Sequence, residues 1–287
     1  MQRWDRERAS DVAAIVDLAL PGEGLTEDDL VAVLWEDDDP TVVVATPDGA
    51  GVAAAVVHDV GRGSRVGFVQ LVAVQPDGQR GGRGRALVEA IRHWAFDEQG
   101  CTALAVGGAA PFYLWPGVDV HATAALCLFE SLGFVPRGAE LNLAFPSRHR
   151  APVPDGLELR RVLDEPDATA ALAFVAAHWP NWVAETRRAV EHGSCHVAQS
   201  VTDGAIVGFG CHSVNRLGWL GPMGTDPARR LGGTGNALLG AIATDLMAAG
   251  LASVEVAWVG PVGFYVKAAG ASTSRTFRTL SLSAPSA

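Results

Sequence analysis

Apolar and polar positions follow two different periods along the chain, and one series of elements occurs twice. Apolar residues three or four positions apart predict helices at 11–20 and 26–35 in the first half, and at 167–177 and 182–192 in the second. Short apolar runs between turn residues predict strands at 41–46, 51–59, 66–74 and 103–106, and again at 195–200, 205–212, 217–225 and 254–258. Each half has one more predicted helix. The first follows 66–74 and ends near Gly100, and the second follows 217–225 and ends near Gly250. The pattern indicates an α/β protein.

A glycine-rich segment is repeated without a gap. Segment 74–87 returns 151 residues later as 225–238, and the residue types of Pro76, Gly82, Gly84 and Leu87 occur again at the matching positions. Such a repeat indicates two copies of one domain. We expect an N-terminal domain at 1–146, a linker rich in proline and charge at 147–156, and a C-terminal domain at 157–287.

The order strand, glycine-rich loop, helix predicts a site for a phosphate or pyrophosphate. Backbone N–H groups at a helix N-terminus carry partial positive charge, and glycine lets the backbone approach a ligand closely. A single copy of the loop is explained equally well by tight packing at a helix entry, but two copies with the same spacing favour the binding site. The spacing does not fit the Gly-x-Gly-x-x-Gly loop of dinucleotide-binding domains.

Composition limits the partners. The 287 residues are 48% hydrophobic and 19% charged, which suits two buried cores. The net charge of -10 disfavours nucleic acid and anionic membranes, and no apolar run is long enough to span a bilayer. The four cysteines, at 101, 127, 195 and 211, are widely spaced, so we expect no metal site and no disulfide framework. A cytoplasmic location is expected.

The repeated motif resembles a known family. Gln79-x-x-Gly82-x-Gly84 and Arg230-x-x-Gly233-x-Gly235, each after a strand and a proline, are similar to the acyl-CoA pyrophosphate loop of the GNAT acetyltransferase superfamily. The resemblance covers nearly the whole chain and extends to tandem acetyltransferases of the mycothiol synthase type. It implies an α/β fold of two tandem GNAT-like domains, each with a mixed, mostly antiparallel sheet and helices on both faces.

The resemblance also implies a co-substrate, acetyl-CoA or another acyl-CoA, and no metal. In the first domain it assigns CoA binding to Val72, Val74, Gln79, Arg80, Gly81, Gly82, Arg83, Gly84 and Arg85. In the second domain it assigns CoA binding to Met223, Gly224, Thr225, Arg230, Leu231, Gly232, Gly233, Thr234, Gly235 and Asn236.

A second family signature separates the two halves. The family's signature is an aromatic–tyrosine pair on a helix that ends before a glycine, and segment 264–271 resembles it. The resemblance assigns the family's tyrosine, which donates a proton to the CoA thiolate, to Tyr265. A phenol is protonated at neutral pH and suits that role, although an aromatic packed against its helix is the alternative. Phe129 stands at the matching position of the first half, so the second domain is predicted to be the catalytic one. The first half also carries an insertion at 111–121, which is interpreted as a lid, a substrate wall or, preferably, a seam between domains.

The general base is less clear from the sequence. Glu255 lies in an apolar strand, where a charge is costly unless it is paired or functional, and a strand-end carboxylate in water is an equal alternative. His212 is the second choice, with an exposed imidazole at a strand end as the preferred interpretation.

The resemblance implies acetyl transfer to a primary amine of a small molecule by a monomer or homodimer. The alternatives are an inactive acyl-CoA-binding regulator or sensor, a longer-chain acyltransferase for an amino sugar or antibiotic, and a protein N-acetyltransferase.

Overall fold

The computed structural model describes residues 1–36, 38–61, 63–229 and 232–285. The chain forms two compact units that do not follow a single cut along the sequence. Unit 1 comprises Met1–Glu140 together with Thr276–Ala287, and unit 2 comprises Leu141–Arg275.

Unit 1 is built on a mixed sheet with the strand order β1-β2-β3-β4-β5-β13. Its elements in chain order are β1 (Gln2–Arg3), α1 (Ala9–Ala19), α2 (Glu27–Leu34), β2 (Thr41–Ala45), β3 (Gly51–Asp59), β4 (Arg65–Val74), α3 (Arg83–His93), β5 (Ala103–Val106), β6 (Val118–Asp119), α4 (Thr123–Ser131) and the first part of β7 (Val135–Pro146).

Unit 2 repeats this arrangement with the strand order β7-β12-β11-β10-β9-β8. Its elements are β8 (Leu157–Arg161), α5 (Glu165–His178), α6 (Val183–Glu191), β9 (Cys195–Ser200), β10 (Ile206–His212), β11 (Trp219–Thr225), α7 (Thr234–Ala248), β12 (Ser253–Val256), α8 (Val262–Ala269) and the first part of β13 (Ser272–Ser283).

Helices cover both faces of each sheet. In unit 1, 52–56 on β3 are fully buried although successive side chains point to opposite faces, so apolar groups lie on both sides. In unit 2, Gly210 lies against Ile242 of α7, while its neighbour Phe209 packs against Trp179 on the opposite face. These layers confirm the predicted α/β fold with mixed, mostly antiparallel sheets. In each sheet one pair is parallel, β4 with β5 and β11 with β12.

The last strand of each half completes the sheet of the other unit. The end of β7 pairs with β12, with Leu143 opposite Val256. The end of β13 pairs with β5, with Leu280 opposite Val106. Leu143 belongs to the core of unit 2, and Leu280 belongs to the core of unit 1. The chain therefore passes between the units twice, near 140 and near 275.

The helices and strands of the repeated series lie close to their predicted positions, but the domain boundary differs. The predicted linker 147–156 lies inside unit 2. It packs along α7, where Ala151 lies against Gly240 and Pro154 against Gly233, so its proline content reflects this close packing. The sequence analysis also missed β8 and the two exchanged strands, β7 and β13.

The exchanged strands make a prediction about stability. Leu280→Ala removes a core side chain that is 1% exposed, and we expect a destabilisation of about 2–5 kcal/mol confined to unit 1. Hydrogen exchange followed by mass spectrometry should show faster exchange in β4 and β5. The matched variant Leu143→Ala should instead accelerate exchange in β11 and β12. Faster exchange of β11 and β12 in Leu280→Ala would contradict the strand assignment.

Candidate acyl-CoA site

A β-bulge marks the same place in both units. In unit 1, Ala54 pairs with Leu71 and Ala55 with Val69, which leaves Gln70 as an extra residue on β4. In unit 2, the register shifts between Gly210 and His212, opposite Gly221 and Pro222 on β11. Bulges re-aim a strand and are common next to functional sites.

The parallel partner leaves each bulged strand at this point. Pairing with β5 covers Val66–Val69, although β4 continues to Val74. Pairing with β12 covers Trp219 and Leu220, although β11 continues to Thr225. One edge of 71–74 and of 222–225 therefore has no strand partner in the described part of the chain. Unpaired backbone N–H and C=O groups there can pair with an extended ligand. The predicted residues Val72, Val74, Met223, Gly224 and Thr225 lie on these edges.

The glycine loops place free N–H groups at the ends of these strands. Gly82 and Gly233 occupy the N-cap positions of α3 and α7 with φ of 84° and 97°, a region that favours glycine. Neither N-cap makes a side-chain hydrogen bond to the first turn. Each loop therefore leads into a helix N-terminus, where the dipole and the first-turn N–H groups favour an anion. This geometry fits a pyrophosphate.

The predicted side chains of the first loop have partners of their own. Arg83 donates to Asp48 at 2.9 and 2.7 Å and to the carbonyl of Gly78, and its hydrogen bonds hold the pKa of the Asp48 carboxyl well below its usual range. Arg85 donates to Ser131, and Gln79 donates to the carbonyl of Val74. These contacts order the loop. Arg80, exposed with φ of 59°, makes no ion pair with any described residue.

The second loop repeats one of these pairs. Arg229 forms an ion pair with Asp203 of the β9–β10 turn at 2.8 Å, just as Arg83 pairs with the β2–β3 turn. The predicted Arg230 and Leu231 lie outside the described residues.

The helix starts differ in how far they are covered. Gly81 and Gly82 are exposed, and a Cβ at Gly84 would meet only the end of Leu128. In unit 2, Phe264 lies 2.9 Å from the position of a Cβ on Gly235. Thr234 is buried, and Oδ1 of the predicted Asn236 accepts from Nε2 of His149 at 2.9 Å. Gly232 remains exposed. The first turn of α3 is thus open, and that of α7 is partly covered.

Tyr265 lies in the core of unit 2. It packs with Leu143, Ile242 and Val256, and Phe264 meets it edge-on at 5.0 Å. Burial raises the pKa of Tyr265 to about 12, so the phenol stays protonated at neutral pH. Phe129 occupies the matching buried position in unit 1.

Glu255 is held by three donors. Asn142 donates to its Oε1 at 2.8 Å, Trp219 donates to Oε2 at 3.1 Å, and Ser274 donates to Oε1 at 3.3 Å. The carboxylate lies where β11 and β12 are last paired, directly before the bulge. The sequence analysis considered Glu255 as a general base or as a strand-end carboxylate in water. It did not predict these three hydrogen bonds.

His212 is buried, which differs from the expected exposed imidazole. Its Nε2 lies 3.3 Å from Oδ2 of Asp245, and Nε2 of His196 lies 2.7 Å from the same oxygen. Arg161 donates to the other oxygen of Asp245. The three elements β9, β10 and α7 bring these groups together over large sequence separations. The sequence analysis missed the cluster for that reason.

An aromatic cluster lies beside the free strand of unit 2. Trp179 packs against Gly224, where the position of a Cβ lies 2.7 Å from its ring. Trp182 stacks on Trp179 at 5.6 Å, and Phe174 and Phe209 complete the cluster. Trp179 and Trp182 are half-buried, so they form a wall that remains accessible. The sequence analysis did not predict this wall, because its members come from separate helices and a strand.

The insertion in the first half folds back on the bulge of unit 1. Buried Gln70 donates from Nε2 to the carbonyl of Phe112 at 3.2 Å. Trp115 donates to Glu23 at 3.0 Å, and Gly108 donates to the carbonyl of Trp115. Within unit 1 the insertion therefore packs next to the bulge.

Comparison with known proteins agrees with this geometry. Residues 38–136 match the sequence profile of the Acetyltransferase (GNAT) domain family. Residues 38–136 therefore belong to the GNAT superfamily. The match runs from before β2 to the start of β7, and it includes the bulged strand and the glycine loop of unit 1. A search of curated proteins finds no match.

Solved structures show that a similar fold extends over the whole chain. A tandem GNAT protein from the clavulanic acid biosynthesis pathway, solved without AcCoA, has a TM-score of 0.74 at 17% identity, over 99% of this chain and 97% of that chain. A GCN5-related N-acetyltransferase from Sphaerobacter thermophilus has a TM-score of 0.65 at 19% identity, over 98% and 94%. These similarities show a shared fold of two GNAT-like domains.

A third structure belongs to a longer protein. The GCN5-related glucosamine N-acetyltransferase region of a fungal multi-domain GH3 beta-N-acetylglucosaminidase has a TM-score of 0.73 at 19% identity, over 98% of this chain. The chain spans 38% of the length of that fungal protein. In the described part of this GNAT chain, none of the helices has the length and apolar character that crossing a membrane requires.

The buried phenol gives a spectroscopic prediction. The chain has two tyrosines, so Tyr113→Phe leaves Tyr265 as the only one. Because burial raises its pKa to about 12, tyrosinate absorption should appear about two pH units above the usual value near 10, or only when the fold is lost. Far-ultraviolet circular dichroism at each pH separates these cases. Ionisation near pH 10 in a folded protein would contradict the buried position.

Proposed function

We propose that this GNAT protein is an acyl-CoA-dependent N-acyltransferase that transfers acetyl to a primary amine of a small molecule. The observation that carries the proposal is the bulged strand that leaves its parallel partner and leads into an uncapped helix N-terminus, present in both units. The free strand edge matches the extended arm that carries the thioester. The helix N-terminus, which follows it along the chain, matches the pyrophosphate.

The chain's own residues supply the binding groups. Backbone N–H groups at the starts of α3 and α7 would hold the pyrophosphate, and exposed Arg80 would add charge beside the first loop. The free edges of β4 and β11 would pair with the pantetheine arm, from Val72 to Val74 and from Met223 to Thr225. When bound, acetyl-CoA supplies the activated acyl group.

Unit 2 offers the chemical groups. We propose that Tyr265 donates the proton that the departing thiolate needs, since its hydroxyl is protonated at all physiological pH values. A backbone N–H of Gly224 or Thr225 would stabilise the developing oxyanion, a contribution typically worth about 3–4 kcal/mol. The wall of Trp179, Trp182 and Phe174 lies beside Gly224 and would bound the acceptor on its apolar side.

Glu255 has a supporting role in this proposal. Its carboxylate fixes Trp219 and Asn142 at the point where β11 separates from β12. Its two oxygens accept three hydrogen bonds, which leaves about one acceptor position, on Oε2, for the proton of an amine. The same carboxylate can therefore also serve as the general base.

A second candidate function is acyl-CoA binding without turnover in unit 1. The observation that favours it is the open first turn of α3 combined with Phe129 at the tyrosine position. A unit with this pair of features can hold the ligand and has no phenol at the position that matches Tyr265.

The number of acetyl-CoA molecules bound per chain tests the role of the two glycine loops. We expect up to two acetyl-CoA molecules per chain in native mass spectrometry or calorimetry. Gly82→Asp with Gly84→Asp should remove the first site, and Gly233→Asp with Gly235→Asp the second, because a carboxylate at the helix start repels phosphate.

Matched controls are Gly100→Asp and Gly250→Asp, which also have positive φ, near 66° and 85°, but lie at helix ends in open space. They should bind as the wild type does. A wild-type chain that binds no acetyl-CoA would overturn the proposed function, and unchanged binding in both double variants would move the site elsewhere.

The acid is tested by kinetics. Tyr265→Phe keeps the ring and removes the hydroxyl, so acetyl-CoA affinity should be retained while kcat and kcat/KM fall together by roughly 10²- to 10⁴-fold. The measurement is CoA release with a panel of small amines. Tyr113→Phe, which removes the other tyrosine, should keep normal turnover. Normal turnover of Tyr265→Phe would assign the chemistry to unit 1 or to another acid.

A further inference from the structure

The cluster of His196, His212 and Asp245 has no part in the proposed reaction. Asp245 lies on α7, eleven residues after Thr234, which places it about 16 Å along the helix from the phosphate loop. The cluster lies on the face of the sheet that carries α7, since His212 and Gly210 share a face and Gly210 contacts Ile242. It is therefore separate from the aromatic wall on the opposite face.

We propose that His196, His212 and Asp245 form a binding site for a divalent transition-metal ion, best suited to Zn²⁺. The ligand atoms of the three side chains all lie within 4.8 Å of one another. Two imidazole nitrogens and one carboxylate oxygen are a set that Zn²⁺ binds in proteins, with water as the fourth ligand. No ligand atom is supplied by a flexible surface loop, because each residue lies on a strand or helix of unit 2.

The ligand atoms must move before they can share one ion. Atoms bound to a tetrahedral zinc ion at about 2.1 Å lie about 3.4 Å apart, so the widest pair must approach by up to about 1.4 Å and the 2.7 Å pair of His196 and Asp245 must open. Rotation of the two rings, which lie 6.3 Å apart and nearly parallel, can provide this change. Oδ2 of Asp245 already lies between the two Nε2 atoms, at 2.7 and 3.3 Å.

The surrounding groups match an outer shell. Metal-bound histidines usually direct the other ring nitrogen to an oxygen, and Nδ1 of His212 lies 3.1 Å from Oγ of Ser213. A hydroxyl can donate or accept, so Ser213 supports the tautomer of His212 in which Nε2 is free to bind a metal. Arg161 donates to the second oxygen of Asp245, which leaves Oδ2 as the single metal ligand.

The protonation states also suit a metal. Burial lowers the pKa of His196 and His212, although Asp245 opposes this effect, and neutral imidazole is the form that binds metals. For Asp245, burial acts to raise the pKa, but the hydrogen bond from His196 and the charge of Arg161 outweigh it, and the pKa is lowered. The side chain of Arg161 is 42% exposed at the edge strand β8, which gives the site a route to solvent.

A bound ion would join β9 and β10 to the helix that carries the second phosphate loop. Its expected effect is on stability and on the order of α7, not on the acyl transfer step. This proposal does not depend on the proposed function, because it concerns binding of the metal alone.

The test uses the full chain, freed of metal by a chelator and titrated with Zn²⁺ against a chromophoric competitor. We expect one tightly bound ion per chain and a rise in Tm on addition of Zn²⁺. Co²⁺ in place of Zn²⁺ should give the intense visible absorption of a tetrahedral site. His212→Gln and Asp245→Asn should each abolish the bound ion, the Tm shift and the Co²⁺ absorption.

Two further variants keep the test decisive. Ser213→Ala retains all three ligands and should weaken binding by about 10- to 100-fold, as loss of an outer-shell partner does. His192→Gln removes an exposed histidine from the same unit and should leave affinity unchanged. The proposal is overturned if the wild type binds no ion tightly, or if folded His212→Gln binds Zn²⁺ as the wild type does. In either case the cluster is a hydrogen-bonded contact between α7 and the sheet.

Discussion

The separation of a strand from its parallel neighbour is the constraint on which the rest of this structure depends. After Val69 in unit 1 and Leu220 in unit 2, the bulged strand continues for several residues without a strand partner on one side among the residues that the structure describes. Backbone groups left in this way must find another partner, from water or from a ligand. The bulge turns the strand away, the glycine loop follows where the strand ends, and the helix dipole points back at the gap. Each element of the candidate site takes its position from this separation.

The chain crosses between the two units twice, and the final strand of each half packs into the core of the other unit. Leu280 fills the core of unit 1 although it lies near the C-terminus, and Leu143 fills the core of unit 2 although it precedes the second repeat. Neither unit is a continuous piece of chain. A cut at the predicted linker would remove Leu280 from unit 1, so the parts of this protein cannot be studied as simple halves.

The two units share one backbone arrangement but differ in the side chains around it. Both loops keep an arginine paired with an aspartate of the neighbouring hairpin turn, Arg83 with Asp48 and Arg229 with Asp203. In contrast, Phe129 and Tyr265 differ at the buried aromatic position. Segment 149–154 covers α7, whereas the first turn of α3 is open. The same backbone geometry thus carries different side chains in the two units.

The sequence by itself determined the repeat, the fold class, most helices and strands, and the two glycine loops with their resemblance to GNAT proteins. These features are local: periodicity sets the elements, and positive φ at Gly82 and Gly233 requires glycine in the loop itself. Only the tertiary structure decided the exchange of β7 and β13, the partners of Arg83 and Glu255, the aromatic wall around Trp179 and the cluster of His196, His212 and Asp245. Those features join residues that lie far apart in the chain, and a spacing rule has no means to detect them. Burial is likewise a property of the assembled core, and so the raised pKa of Tyr265 and the covered position of His212 follow from packing that no short segment encodes.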